Sequence, residues 1–285
     1  MTSAADEQRH PPGPHRLWEE SWYFDFVSPD GSLGGYVRLG VVPRDGVTWF
    51  WAALVGRGRP LVTLRDHDVE PPRGRALEAR ASGLWVDLVC ETPLEHWSVG
   101  LEAFAVAMDD PAEACRGERG DPTALGLDLE WEGSGPPAAQ GEGGYGQACT
   151  VHGDVLVGRE RIAFEGTGWR THLWGPRDWW GGPWSWAAGT FDDGTAFSGA
   201  PGNVMVGGDG LPVSATLAGD MAVSALAHAP LLVPAPGGGP PSRLARALCR
   251  YDAPGLRGPN AEAGYGWAEW LQPGGPARDL PPSRG

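Results

Sequence analysis

The chain has no lysine. All 22 of its basic side chains are arginine, set against 36 acidic ones for a net charge of −14. Without lysine there is no P-loop ATPase, no Schiff-base or pyridoxal chemistry and no protein-kinase centre. The acidic balance also argues against a nucleic-acid partner, since phosphate binding calls for a basic stripe. Cysteine is scarce. Cys90, Cys115, Cys149 and Cys249 lie far apart, with no C-x-x-C pair to suggest a zinc knuckle or a thioredoxin-type centre. No G-x-S-x-G elbow is present, and no two histidines after residue 15 share metal-ligand spacing, so neither metal nor cofactor is expected. No run reaches 18 apolar residues, so no membrane span is expected. The N-terminal residues lack the apolar core of a signal sequence, and with four unpaired cysteines this predicts a cytoplasmic protein.

What is abundant is glycine (45), proline (28) and tryptophan (15). Glycine and proline punctuate turns, and 41% hydrophobic content supplies a core. Short apolar or alternating runs recur about every ten residues, as in an all-β sandwich or barrel. WYFDFVSPDGSLGGYVRL reads as strand, turn, strand, and Asp193-Gly194 as a second tight turn. Residues 1–16 read as a disordered polar tail. Residues 17–132 form a first β domain, 133–144 (GSGPPAAQGEGG) a linker, 145–273 a second β domain and 274–285 a disordered tail. Arg243–Tyr251 suits helix by composition and strand by context. Arg65-Asp66-His67-Asp68 reads as a solvated loop. The G-x-G-x-x-G at 141–146 follows a Pro-rich stretch and precedes a strand, so a dinucleotide site is rejected.

The chemistry concentrates in 165–199. Trp169, Trp174, Trp179, Trp180, Trp184 and Trp186 fall within eighteen residues, beside His172, Arg177 and Asp178. An imidazole near a carboxylate in an aromatic pocket can exchange protons near neutral pH. Tryptophan faces can stabilise a developing carbocation. The same groups suit a purely structural role, in which Arg177 and Asp178 pair with each other, with His172 or with Glu269.

The run 166–179 (GTGWRTHLWGPRDW), with Trp184-Ser185-Trp186 and Phe191-Asp192-Asp193-Gly194, resembles the tandem lipocalin-like superfamily. That group includes hydroxyneurosporene synthase (carotenoid 1,2-hydratase), AttH-like and tocopherol-cyclase-like proteins. The likeness is strongest to an actinobacterial branch with the signature G-x-R-x-H-S-W-G-x-R-D-W. Gly168, Arg170, His172, Trp174, Gly175, Arg177, Asp178 and Trp179 match it, and Leu173 replaces its Ser. GYGWAEW (264–270) resembles the branch's closing strand and puts Glu269 in the matching place. The resemblance implies two lipocalin-like antiparallel β-barrel domains and a ligand cavity in the second. His172 and Trp174 match a His-x-Trp pair implicated in protonating a prenyl double bond.

Two outcomes fit these residues. In one, an apolar small molecule of isoprenoid, polyketide or steroid type undergoes cofactor-free acid-initiated hydration, cyclisation or isomerisation. His172 or Asp178 is then the acid, Arg177 orients the carboxylate, and the six tryptophans and Glu269 shape the site. In the other, the protein is a carrier that binds such a molecule without chemistry.

Overall fold

A computed structural model describes residues 2–117, 119–141, 143–217, 220–253 and 263–274. Among them the regular structure is strand apart from three short 3-10 turns, so the all-β reading holds. Arg243–Tyr251 is strand, because its alternate side chains fill two different apolar layers.

The first sheet comprises β1 (Trp18–Val27), β2 (Leu33–Val42), β3 (Val47–Gly56), β4 (Leu61–Val69), β5 (Leu77–Ala81), β6 (Leu84–Thr92), β7 (His96–Met108), β8 (Asp121–Gly133), β9 (Ala138–Ala139), β10 (Gly144–Val157) and β11 (Glu160–Pro176). Its antiparallel order is β4-β3-β2-β1-β11-β10-β8-β7, and Leu61–Thr63 of β4 pair with Val106–Met108 of β7. That last pairing closes a ring of eight strands, while β6 and β5 continue the sheet from β7 and leave β5 as an edge. Strand alternation then assigns the faces. Trp22, Phe24, Phe26, Val37, Leu39, Phe50, Leu127, Leu129, Trp131 and Val151 point inward and are buried.

The second sheet comprises β12 (Trp184–Phe191), β13 (Ala196–Gly199), β14 (Gly202–Val206), β15 (Pro212–Leu217), β16 (Met221–His228), β17 (Leu231–Val233), β18 (Ser242–Asp252) and β19 (Gly264–Gln272). Its order is β13-β12-β19-β18-β16-β15-β14, with β17 on β18. The end strands β13 and β14 are joined by Ala200 and Pro201 alone, so the sheet curls until its two ends meet. One face encloses Ala187, Phe191, Leu217, Val223, Cys249, Tyr251 and Trp270. The other packs Leu244, Leu248, Trp267 and Leu271 against Tyr36, Trp49, Trp51 and Val55 on the outside of the first ring.

Three expectations need correction. The sheets change between Pro176 and Trp184, not at 133–144, because β10 and β11 are needed to close the first ring between β8 and β1. Residues 2–16 are ordered: a 3-10 turn at Ala4–Glu7 places Glu7 where it is 3% exposed. Residues 65–68 lie within β4, and His67 Nε2 accepts the Trp51 indole N–H at 2.9 Å. Of the expected C-terminal tail, 275–285 lie outside the described residues, while the Gly274 N–H donates to Ser242 Oγ at 3.2 Å. The two turns are as read: Gly31 and Gly194 take the left-handed φ of 66° and 81° that tight turns require.

Gly168 sits where β11 crosses β1. A Cβ there would lie 2.1 Å from the Asp25 carbonyl oxygen. Gly168→Ala should therefore lower stability by roughly 1–3 kcal/mol or more, read as a fall in the urea midpoint at unchanged slope. An unchanged midpoint would show that β1 and β11 are not packed at this register.

Candidate functional site

β11 carries the tryptophan-rich stretch, and its two faces serve different places. Arg170, His172 and Trp174 point into the first ring; Trp169, Thr171 and Leu173 point out toward the second sheet.

The inward face ends in a polar cluster closed by the N-terminal segment. Trp22, His172 and Tyr145 are neighbours across β1, β11 and β10, and the Trp22 and His172 rings stack at 4.5 Å. His172 Nε2 lies 3.0 Å from Glu20 Oε1, which also accepts the His10 backbone N–H at 2.8 Å and contacts His10 Nδ1 at 2.9 Å. His10 stacks on Trp174 at 3.9 Å. Burial pushes the His172 imidazole below its usual value, and the Glu20 carboxylate only partly offsets this. Below this layer Glu7 Oε1 pairs with Arg170 Nη2 at 2.8 Å, and Glu7 Oε2 accepts the Tyr145 hydroxyl at 2.5 Å. Burial raises the Glu7 carboxyl, but the Arg170 guanidinium and its hydrogen-bond donors outweigh that and leave it below its ordinary value. Ligand atoms of His10, Glu20 and His172, one from each, lie within 4.8 Å of one another, close enough to meet at a cation. The buried His172 Nδ1 has no partner, so the ring lacks the outer hydrogen bond that usually orients a metal-bound imidazole.

The outward face lines a cavity of about 300 Å³ between the two sheets. One wall is a rung of the first ring: Thr171, Tyr23, Arg38 and Trp51 are successive partners across β11, β1, β2 and β3. The facing wall is a rung of the second sheet: Trp186, Glu269 and Arg246 across β12, β19 and β18. Arg177, Trp179 and Trp184 complete the mouth. The Arg246 guanidinium caps both the Tyr23 and the Tyr36 rings, 4.4 and 4.1 Å from their centres, and pairs with Glu269 at 3.0 Å. Arg38 stacks on Trp51 at 4.3 Å and pairs with Glu19, whose other oxygen accepts the Trp179 indole N–H at 2.8 Å.

Tyr23, Trp186, Arg246 and Glu269 also bound a separate pocket of about 10 Å³, an annex behind that wall, together with Asp25 and Trp267. Asp25 is 3% exposed and accepts the Trp169 backbone N–H at 2.7 Å. Burial pushes its carboxyl up to about 7, against the opposing pull of that N–H and of the Tyr23 hydroxyl. It is thus poised to hold a proton near neutrality.

The expected site residues therefore divide. Arg177, Trp179, Trp184, Trp186 and Glu269 line the cavity. His172 and Trp174 lie on the opposite face of β11, within the first ring. Asp178 is exposed and accepts the N–H groups of Trp180 and Gly181 at 2.9 and 2.8 Å, holding the turn between the sheets. Trp169 is buried against Ala148 and Ala188, and Trp180 against Trp49. The sequence reading passed over Tyr23, Asp25, Arg38, Trp51 and Arg246. The signal for Asp25 was present: an acidic residue within WYFDFV, in phase with Tyr23 and out of phase with Trp22 and Phe24.

Two expectations follow. Glu7→Gln leaves Arg170 buried without its carboxylate and should cost roughly 3–5 kcal/mol in urea unfolding; a loss well under 1 kcal/mol would contradict an ordered N-terminus. For Asp25, the folded value of about 7 lies above the ordinary 3.8. Its stabilising contribution is complete below the ordinary value and is lost as pH rises through about 7. Asp25→Asn cannot ionise, so its melting temperature should fall less than the wild type's between about pH 5 and 8. Parallel profiles would contradict the raised value.

No curated protein matches the chain significantly. Among solved structures, kievitone hydratase from Nectria haematococca superposes with a TM-score of 0.53 at 10% identity, covering 90% of this chain and 90% of that one. A putative AttH from Nitrosomonas europaea aligns at 0.49 and 15% identity, covering 90% and 94%. CghA with Sch210972 aligns at 0.49 and 12%, covering 90% and 88%. The likeness to kievitone hydratase is one of fold, and it agrees with the lipocalin-like architecture described above. A family model described as a domain of unknown function (DUF7064) matches residues 3–211, across the first ring and into the second sheet, and the chain belongs to that family.

Proposed function

We propose that the protein binds an apolar small molecule of isoprenoid, polyketide or steroid type in the cavity between the sheets and isomerises, cyclises or hydrates it by acid catalysis. The observation that carries this reading is a buried carboxyl, Asp25, pushed up to about 7 on an annex of an aromatic-walled cavity. Below that pH the neutral acid can add its proton to one carbon of a ligand double bond. The π pair forms the new C–H bond and leaves a cation on the other carbon. The faces of Trp51, Trp179, Trp184 and Trp186 suit such a cation. Loss of an adjacent proton to the Asp25 carboxylate completes isomerisation. Attack by an internal double bond closes a ring and moves the cation to a new carbon, and loss of a proton beside that carbon to Asp25 completes cyclisation. Attack by water, whose extra proton passes to Asp25, completes hydration. General acid catalysis of this kind contributes roughly 10²–10⁴-fold.

Asp25 takes the part the sequence reading gave to His172 or Asp178. Arg177 keeps a place at the mouth, and Glu269 orients Arg246. The second reading, a carrier, is favoured by one observation: His172 is sealed inside the first ring and Asp178 is committed to a turn, so neither reaches a ligand in the cavity.

Purified protein incubated with small-molecule extract of its producer, then analysed by mass spectrometry, separates the readings. Wild type should retain an apolar compound and release a product of equal mass or 18 mass units heavier; Asp25→Asn should retain the compound unchanged. Identical products from both proteins would contradict Asp25 as the acid. Retention without product in either favours the carrier. No retention by either contradicts binding itself.

A further inference from the structure

Within the site proposed above, the cavity wall carries more positive charge than the protein itself balances. Three guanidinium groups line it: Arg38 and Arg246, 5% and 3% exposed, and Arg177 at the mouth. Two carboxylates answer them, Glu19 on Arg38 and Glu269 on Arg246. Arg177 has no carboxylate within ion-pair distance among the described residues. The neighbouring Asp178 is spent on the Trp180 and Gly181 N–H groups, and the Arg177 guanidinium carbon lies 5.8 Å from the centre of the Trp179 ring. Asp25 is neutral at mildly acid pH and adds no negative charge there.

The hydrogen-bond ledger points the same way. Arg246 Nη1 is buried and has no acceptor, although Nη2 of the same guanidinium lies 3.0 Å from Glu269 Oε2 as an ion pair. A buried guanidinium donor without an acceptor is costly. Arg38 Nη1 is likewise buried without a partner. The three cations also feel one another: burial first, and then the charges of Arg177 and Arg246, pull the Arg38 guanidinium below its usual value, against the pull of Glu19. An anionic oxygen group in the cavity would relieve that repulsion and give the unpaired donors acceptors. The surplus is a single charge, which matches a monoanion.

We infer that the cavity is built for an amphiphilic ligand with a carboxylate head, held by Arg177 with Arg246, and a flat apolar body stacked among Trp51, Trp179, Trp184 and Trp186. This narrows the substrate class of the site and rests on the reading that a ligand occupies this cavity. It also gives orientation: a head fixed at the arginines holds the body at a set distance from the annex where Asp25 sits.

The test uses two probes of nearly equal shape, 9-anthracenecarboxylate and 9-anthracenemethanol, titrated into the full-length protein at pH 6 with tryptophan quenching as readout. The carboxylate should bind at least about tenfold more tightly than the alcohol. Its advantage should shrink on raising salt from about 50 to 500 mM. Arg177→Gln should abolish the preference, weakening carboxylate binding far more than alcohol binding, and Arg177→Lys should restore part of it. Among the described residues Arg177 makes no ion pair, so both variants are expected to keep the wild-type melting temperature. Equal affinities for the two probes, or a preference that survives in Arg177→Gln, would overturn the inference and leave the apolar site standing. Failure of both probes to bind would overturn the site and the inference together.

Discussion

The Arg246 guanidinium crosses from the second sheet to the first and caps the rings of Tyr23 of β1 and Tyr36 of β2. This contact joins two sheets whose remaining interface is mainly apolar. A charge so deeply buried is tolerated only with compensation, and Glu269 and the two ring faces supply it. Arg38 repeats the pattern from the other wall, stacked on Trp51 and paired with Glu19. Both side chains are long and both are fixed, and each lines the cavity from its own wall. Each is answered by a carboxylate, so the surplus charge of the cavity belongs to Arg177 at the mouth.

The first ring contributes rigidity rather than volume. Its interior is filled by aromatic and aliphatic side chains, and one end is closed by the layered network of Glu7, Arg170, Tyr145, Glu20, His172 and His10. That network is polar, buried and multiply bonded, which favours one arrangement over alternatives. It fixes β1, β10 and β11 in register, and β1 and β11 present Tyr23, Asp25 and Thr171 on their outer face. The His-x-Trp pair of the signature thus supports the strand that lines the cavity from behind.

The strand content was legible because alternation, turn glycines and short apolar runs are local properties, as the hairpins at Gly31 and Gly194 illustrate. The tryptophan-rich stretch was legible as a dense site, but its division was not read. In an extended strand consecutive side chains take opposite faces, so His172 and Leu173 could never share a pocket. A count of residue types in a window hides that parity. The N-terminus was misread for a different reason. Composition predicts solvation for a Pro-rich polar run, yet Glu7 meets Arg170 across 163 positions of sequence, and nothing local announces that partner. The same holds for Arg246, whose place over two tyrosines of the first sheet is fixed only when the two sheets pack.

The central claim is that the ligand lies between the sheets, on the outside of the closed ring. A crystal structure of the protein with its captured ligand tests this directly. The account predicts ligand density in contact with Tyr23, Trp184, Trp186 and Arg246, on the outer face of β1 and β11. Density inside the first ring, against Trp22 and His172, would contradict it.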